Sequence, residues 1–466
     1  MVDAALGIES SSSLDGRTFD YDAESDSPVL VGDLLTLRTD GESPLLVQIM
    51  TKERAEGSHV RGTGVVLGKL ENGALSPPDA RPFSSATVDR ADPRVLDGLI
   101  SRRGPVARVG TTRTGEFPAL LFANSFNRHT FLCGQSGSGK TYALGVILEQ
   151  LLAVTDLRMV ILDPNGDFVR LGELHPDVVE GDAGPLRAAQ GGVRVFRPGS
   201  QSAEPLRLLW SELTRRAQAA VLQLDPIRDR GEYNVLLNLP PTDPGLERND
   251  FLKAIGALGE DGRAITTRLE NLGILDWALW ARGASSVLEA IEERPRAAVL
   301  EIGSFDTGAE RSASALAVLD HLWERRERRE PTLIVIDEAH NICTTEPADE
   351  LQALATERLV QIAGEGRKYG LWLLVSTQRP SKIHPNVLSQ CDNLVLMRMN
   401  APADLDDLGR VFGYAPPSML ESAPAFTKGE ALLAGGFTFA PTIARIGGRL
   451  TPEGGSDVAV PLPDLP

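Results

Sequence analysis

Cysteine is nearly absent from this chain. Cys133, Cys343 and Cys391 are the only three in 466 residues, and no two share a CxxC spacing. That excludes a disulfide framework and a thiolate zinc site, and it points to a reducing, cytoplasmic setting. The six histidines are equally scattered, so no histidine-rich metal motif is present. No apolar run reaches the ~18 residues that cross a bilayer, which excludes a helical membrane span. The first residues, MVDAALGIESSSSLDG, lack the basic region of a secretory signal. Positive charge is also short: 47 Lys and Arg against 64 Asp and Glu leave a net charge of −17. Such a chain does not coat DNA by general surface attraction, so any nucleic acid must meet local cations in a pore or funnel.

What is present is globular. Hydrophobic residues make up 42% and charged residues 24%, and the length suits two or three domains with sizeable cores. Residues 1–27 are polar and acidic and read as disordered. Residues 28–115 hold short alternating runs split by turn residues, VLVGDLLTLRT, LLVQIMT, GTGVVLGKL and GPVARVGTT, with a short helix at DPRVLDGLI. This pattern predicts a small N-terminal β-barrel or sandwich. From 116 to 450 strand-like runs alternate with longer helical ones, the signature of an α/β domain with a parallel sheet. Residues 205–294 read as a mostly helical insert within it. Residues 451–466 form a Pro/Gly-rich acidic tail with no core to join.

Three runs carry chemistry. Residues 134–141, GQSGSGKT, fit GxxxxGK[ST] and lie between an apolar run and a helix. In such a loop the backbone N–H groups of Gly134, Gln135, Ser136, Gly137, Ser138 and Gly139 turn toward phosphate, and the helix dipole assists. Lys140 contacts the β- and γ-phosphates and Thr141 ligates Mg²⁺; Tyr142, the next residue, joins the nucleotide-binding set. Residues 333–338, LIVIDE, end a buried strand in two acids. Asp337 is placed to hold Mg²⁺ through water and Glu338 to polarise the attacking water. Residues 373–380, LLVSTQRP, end a third buried strand in polar groups. Alone they make a turn. Beside the other two runs, Gln378 reads as a γ-phosphate sensor and Arg379 as the link to the next segment. ATP and Mg²⁺ are the cofactors this set implies.

Other runs leave alternatives open. Asp163 and Asp167 in LDPNGDF serve either a turn or the nucleotide. Arg367 in EGRKYG is either a solvated cation or an arginine finger for a neighbouring subunit, with Arg128 a second candidate and Arg358 a weaker one. His340 packs locally or links to its neighbours.

The stretches RHTFLCGQSGSGKT, VILDPNGDF, LIVIDEAHN, EGRKYGLWLLVSTQRPSKIHPNVLSQC and KGEALLAGG, spread over residues 128–436, resemble the HerA branch of the HerA/FtsK ATPases in the same order. The resemblance implies a RecA-like P-loop ATPase core behind a small barrel, and a homohexameric ring with nucleotide at subunit interfaces. It also implies duplex DNA in a central channel, and a nuclease or other effector subunit as partner, docked on the N-terminal barrel, in DNA end processing or phage defence. Under the same resemblance Arg128 and Arg367 are the trans-acting cations, and residues 428–430, including Lys428 and Gly429, approach a neighbour's nucleotide. A second reading is a ring scaffold that assembles and switches an effector without sustained translocation. Basic pore residues favour the motor; Arg263, Arg268 and Lys382 are the candidates.

The charge balance generates a prediction. Without nucleotide, the chain should bind duplex DNA only weakly at physiological salt, and log K against log[salt] should be shallow, about −0.9 per phosphate neutralised. Nanomolar binding with a steep slope would overturn the argument from net charge.

Overall fold

A computed structural model describes residues 6–455, apart from 40–41, 56–57, 72–73, 102–103, 116, 179, 200–203 and 240–247. The chain divides into two compact units. The first comprises Met1–Ser125, Gly137–Gly139 and Asn393–Gly447; the second comprises Phe126–Ser136, Lys140–Asp392 and Gly448–Pro466.

The first unit opens with an antiparallel sheet whose path runs Ile8–Ser12, Thr18–Glu24, His59–Glu71, Leu45–Ile49, Leu34–Arg38 and Thr87–Arg90. Two short strands, Glu53–Arg54 and Ala74–Ser76, also pair with His59–Glu71. The strands alternate buried and exposed positions, as a sheet curled around its own core requires. Phe19, Tyr21, Val29, Leu35, Leu37, Val47 and Ile49 fill that core. Glycines in the long strand make room for the rings. A Cβ on Gly64 would stand 2.2 Å from Phe19 Cε1, and one on Gly62 would stand 2.5 Å from Tyr21 Cε1. The two ends of the path meet at Ser13 and Phe83, which form an antiparallel bridge, and Ser11 Oγ donates to the Ala86 carbonyl at 2.8 Å. The sheet is therefore nearly closed and barrel-like. The helix Pro93–Ser101 follows, with proline at its first position and the Arg94 N–H donating to Asp92 Oδ1.

Two expectations for this region are corrected. Residues 8–12 and 18–24, read as disordered, are barrel strands, because alternating Phe19, Tyr21 and Ala23 supply core contacts that the acidic residues between them conceal in a composition average. Val106–Thr112, grouped with the barrel on sequence, belongs to another sheet. Its neighbours are Pro118–Phe122 and Thr442–Ile446, and Glu430–Gly435 and Cys391–Met397 continue the order. Pairing across more than 300 residues leaves no local pattern.

The second unit is built on parallel strands in the order His129–Cys133, Leu371–Thr377, Thr332–Ile336, Arg158–Asp163, Ala297–Glu301 and Val193–Phe196. Their near-continuous apolar runs are buried on both faces, as helix-covered parallel strands require. Register sets Cys133 level with Thr377, and Ile336 level with Val375. The three functional runs therefore leave the sheet at one edge.

Between Val193–Phe196 and Ala297–Glu301 the described residues form the helices Arg215–Val221, Arg230–Asn238, Arg248–Gly256, Glu260–Asn271 and Val287–Glu292. The start of the C-terminal segment is not a loose tail. Leu450 and Thr451 donate their N–H groups to the buried Glu149 carboxylate at 2.9 and 2.7 Å, and Arg449 is buried beside it. Residues 456–466 lie outside the described residues.

His129 ties two parallel strands together. Its Nδ1 accepts the Leu373 N–H at 2.9 Å and its Nε2 lies 3.0 Å from the Ala363 carbonyl. Burial pushes its pKa down to about 4 from an ordinary 6.5. The unfolded chain thus binds the proton more readily between those values. The stabilisation is complete above about pH 6.5 and is lost as pH falls toward 4. His321, lowered to about 4 chiefly by burial, acts in the same direction. A His129→Gln variant should be less stable at pH 7.5 and lose less further stability on acidification to pH 4.5, read from denaturation midpoints. An unchanged pH slope would exclude His129 as a source.

Candidate active site

The three candidate runs leave the sheet at the carboxyl ends of their strands, where backbone hydrogen bonding stops and side chains take over. The strand His129–Cys133 runs into the loop 134–139 and then the helix Lys140–Val154. Gly137 and Gly139 have φ of +73° and +94°, which only glycine adopts without strain. A Cβ on Gly139 would meet Gly429 N at 3.4 Å, and the Gly429 N–H donates to the Ser138 carbonyl at 3.0 Å. The 428–429 turn, expected near a neighbour's nucleotide, thus touches the phosphate loop of its own chain. Lys428 is exposed beside it.

Lys140 is buried, yet it keeps its charge. Its Nζ donates to Asp337 Oδ1 at 2.8 Å and lies 3.1 Å from Glu338 Oε1. Burial opposes the charge, but the two carboxylates outweigh it and hold the amine above its ordinary pKa. Ser376 completes the group: it receives a hydrogen bond from Lys140 at 3.1 Å and donates to Asp337 Oδ1 at 2.7 Å. Gln378 Nε2 donates to Glu338 Oε1 at 2.6 Å. Glu338 has φ of +43° and ψ of +47°, an uncommon left-handed conformation for a non-glycine residue. The kink turns this second acid back beside the first instead of letting it alternate away along the strand.

Three buried oxygens in these runs have no hydrogen-bond partner: Ser138 Oγ, Asp337 Oδ2 and Glu338 Oε2. Glu338 Oε2 lies 3.4 Å from His340 Nδ1 without a hydrogen bond to it. Orphaned buried acceptors are costly unless a ligand or water satisfies them. A carboxylate oxygen, a hydroxyl and a glycine-lined loop suit a nucleotide with a hard divalent cation. The residue set therefore fits Mg²⁺–ATP. Thr141 and Tyr142 are half-buried at the helix start, and the Tyr142 hydroxyl accepts the Arg449 N–H at 2.7 Å.

The remaining candidates separate. Asp163 is structural in its contacts: its carboxylate accepts the N–H groups of Asn165, Asp167 and Phe168. Burial raises its pKa to about 7. Asp167 is half-buried, and burial and then the Asp337 charge raise its pKa. His340 Nδ1 lies 3.1 Å from Thr377 Oγ1, which also accepts the Arg379 N–H at 3.0 Å; the Arg379 side chain is exposed. Arg358 pairs with Asp320 at 2.6 Å between two helices and is structural. Arg128 and Arg367 converge on Asp392, at 4.0 and 2.7 Å. Both precede their strands, so they lie at the amino-terminal sheet edge, a strand length of roughly 16 Å from the Lys140 end at about 3.3 Å per residue. Of the pore candidates, Arg268 donates to the Leu222 and Gln223 carbonyls and pairs with Asp229, and Lys382 pairs with Glu346. Arg263 is exposed. Sequence reading passed over Ser376 as a turn residue; a hydroxyl one position inside the end of a buried strand was the available signal.

The fold and the site define a P-loop ATP hydrolase, a class that binds nucleotide. Within that class the chain is similar to HerA proteins. Residues 107–255 match the family described as Helicase HerA, central domain, and residues 283–399 match the ATPase family associated with various cellular activities. The DNA double-strand break repair helicase HerA of Sulfurisphaera tokodaii is 24% identical over 461 residues, covering 92% of this chain and 87% of that protein. Its counterpart from Pyrococcus furiosus is 23% identical over 440 residues, covering 84% and 78%. The solved structure of VirB4 of Thermoanaerobacter pseudethanolicus is similar in fold over 74% of this chain and 96% of that one, with a TM-score of 0.50 at 16% identity. Among the described residues no helix is long and apolar enough to cross a membrane.

Two substitutions separate binding from chemistry. Lys140→Ala should abolish nucleotide binding. Glu338→Gln should bind ATP and turn it over ~10²–10⁴-fold more slowly, the usual contribution of a positioned general base. Bound nucleotide and turnover measured on both variants decide it; normal hydrolysis by Glu338→Gln would remove Glu338 from the chemistry.

Proposed function

We propose that this chain is the subunit of a hexameric, ATP-driven DNA translocase or helicase that works with a nuclease or other effector. The observation that carries the reading is the division of the catalytic set between two sheet edges. Lys140, Asp337, Glu338, Ser376 and Gln378 meet at one edge, and Arg128 and Arg367 meet at the other. One chain cannot bring both halves to one phosphate. A ring of copies can, with the arginines of one subunit facing the Lys140 site of the next. The relatives' description as DNA repair helicases supports DNA as the material moved.

In this reading Lys140 exchanges its carboxylate partners for the β- and γ-phosphate oxygens. Thr141 and Asp337 would hold Mg²⁺, which would neutralise phosphate charge when bound. Glu338 Oε2, the carboxylate oxygen without a hydrogen-bond partner, takes the proton of the attacking water. The products are ADP and inorganic phosphate. Gln378 shares Glu338 through its other oxygen, so loss of the γ-phosphate alters a contact that Gln378 feels directly. Arg379 and the segment after it carry that change outward. Exposed strand edges make the barrel the docking surface for the effector.

The scaffold reading gains from one observation. Arg268 and Lys382, two of the three expected pore cations, are engaged in contacts within the chain. A motor predicts ATPase turnover stimulated by duplex DNA; a scaffold predicts stimulation by the effector alone.

The trans arrangement is tested by mixing. Arg367→Ala and Lys140→Ala subunits should each be inactive alone, with arginine-finger loss costing ~10³-fold or more. Mixed rings should regain activity at interfaces that join an intact Lys140 to an intact Arg367. Mixtures that never exceed the sum of the separate variants would overturn the assignment. Arg128→Ala is tested in the same way.

A further inference from the structure

The C-terminal segment threads across the helix that follows the phosphate loop. Within the second unit, residues 449–454 run from that helix to the loop 164–168, at the tip of the strand Arg158–Asp163. The Arg449 N–H donates to the Tyr142 hydroxyl at 2.7 Å, and the Leu450 and Thr451 N–H groups donate to Glu149 at 2.9 and 2.7 Å. Further on, the Gly454 N–H donates to the Asp167 carbonyl at 3.1 Å. The segment is thus tied to the phosphate-loop helix at one end and to an acidic loop at the other.

One side chain joins the two. The Arg449 side chain is only 2% exposed. Its Nη2 donates to the same Asp167 carbonyl at 3.2 Å, its guanidinium lies over the Phe168 ring at 5.6 Å, and its Nε lies 3.7 Å from Glu149 Oε1. A buried guanidinium needs charge and hydrogen bonds to offset its lost hydration. Here the helix supplies the charge and the loop supplies the acceptor. The helix also makes room: a Cβ on Gly145 would stand 2.6 Å from Arg449 Nε and Cζ. Glycine is a poor residue for a helix interior, and the arginine accounts for its place. Gly454 plays the same part at the loop, where a Cβ would overlap the Gly166 carbonyl oxygen.

The loop so held leaves the sheet beside Asp337. Register sets Leu162 level with Ile336, and the Asp337 N–H donates to the Leu162 carbonyl at 3.1 Å. Asp163 is committed to the loop's own N–H groups, whereas the Asp167 carboxylate stands half-buried after it. Burial, and next the Asp337 charge, raise the Asp167 pKa, while the Lys140 charge lowers it, so the carboxylate lies within the field of that pair.

We propose that Arg449 is a positioning residue for ATP turnover: by locking the loop 164–168 to the phosphate-loop helix, it holds the Asp167 carboxylate in place against the Lys140–Asp337 pair. Asp167 then adds a third negative charge where phosphate and its cation would sit, and orders water there. Arg449 acts through Asp167. The proposal rests on the reading of the Lys140–Asp337 pair as the nucleotide site.

The test uses the full chain, with ATP turnover, nucleotide affinity, thermal midpoint and amide exchange measured on each variant. Arg449→Ala should lower kcat ~10–10²-fold, the scale of a small misplacement near the reacting groups. Nucleotide affinity should stay within about threefold, since an interaction made only in the transition state moves kcat and not binding. Amide exchange in 164–168 should quicken even without nucleotide. Asp167→Asn should lower kcat to a similar extent, and adding Arg449→Ala to it should cost little more, because residues that act as a unit are not additive. Gly145→Ala should also lower kcat, by pushing the guanidinium off its seat. In the Arg449→Ala background the same change should raise the thermal midpoint, because alanine suits the helix and the space is free, with no regain of turnover. Unchanged turnover in Arg449→Ala or in Asp167→Asn, additive losses, or a kcat that follows the thermal midpoint would overturn the proposal. If Arg449→Ala does not fold, Gly145→Ala and Gly454→Ala decide it, and normal turnover with normal exchange in 164–168 in both would overturn it. Normal nucleotide binding by Lys140→Ala would sink the site reading itself. Loss of binding there, with unchanged turnover in Arg449→Ala, would sink the positioning role alone.

Discussion

A buried ammonium held between two carboxylates organises this molecule. Lys140 lies within 3.1 Å of oxygens on Asp337 and Glu338, and Ser376 and Gln378 fix those acids from the neighbouring strand. Burying an unpaired cation carries a penalty of several kcal/mol, so the three strand tips must stay in register. The parallel sheet meets that demand: its apolar strands are buried on both faces, and a slip by one residue would turn the acids away from the lysine. The strain at Glu338 is tolerated because the surrounding contacts over-determine its position. An ion group of this kind stabilises the fold modestly and specifies one geometry strongly. A phosphate competing for Lys140 disturbs both acids and the amide of Gln378 together.

The same sheet separates two groups of candidate side chains. Asp337, Glu338 and Ser376 gather at Lys140 at the carboxyl ends of the strands, whereas Arg128 and Arg367 stand at the amino ends around Asp392. His129, the first residue of its strand, lies next to Arg128 at the amino end, buried and bonded to neighbouring backbone, so its strand is pinned laterally. Along the P-loop helix, Tyr142 near its start and Glu149 past its middle receive the C-terminal segment, and Arg449 donates to the Asp167 carbonyl at 3.2 Å. The helix after the phosphate loop therefore serves as a hub for distant chain segments as well as a phosphate-facing terminus.

The barrel follows a different rule. Its stability comes from alternation and from glycines that admit Phe19 and Tyr21, and its two ends meet at Ser13 and Phe83.

Much of the site was legible in the sequence because its parts obey local rules. GQSGSGKT needs glycines at particular positions, LIVIDE needs acids at a strand end, and LLVSTQRP needs a polar tip on an apolar run. Each signal lies within eight residues. The residues that were missed or misplaced depend on distant partners. Ser376 matters only because strand order sets Leu371–Thr377 between the lysine strand and the acid strand. Gly429 lies 290 residues beyond Gly139, yet backbone contact joins their loops. Arg268 and Arg358 looked available until their carbonyl and carboxylate partners folded against them. Residues 8–24 looked disordered because short alternating strands have a polar average, and only the barrel core distinguishes them. The sequence by itself determined the class of chemistry, since a phosphate loop and an acid pair are encoded by neighbouring residues. Tertiary structure decided which cations are engaged within the chain, which loop touches the phosphate cradle and where the ends of the barrel sheet meet, because pairing between distant segments is set by the packing of the whole chain.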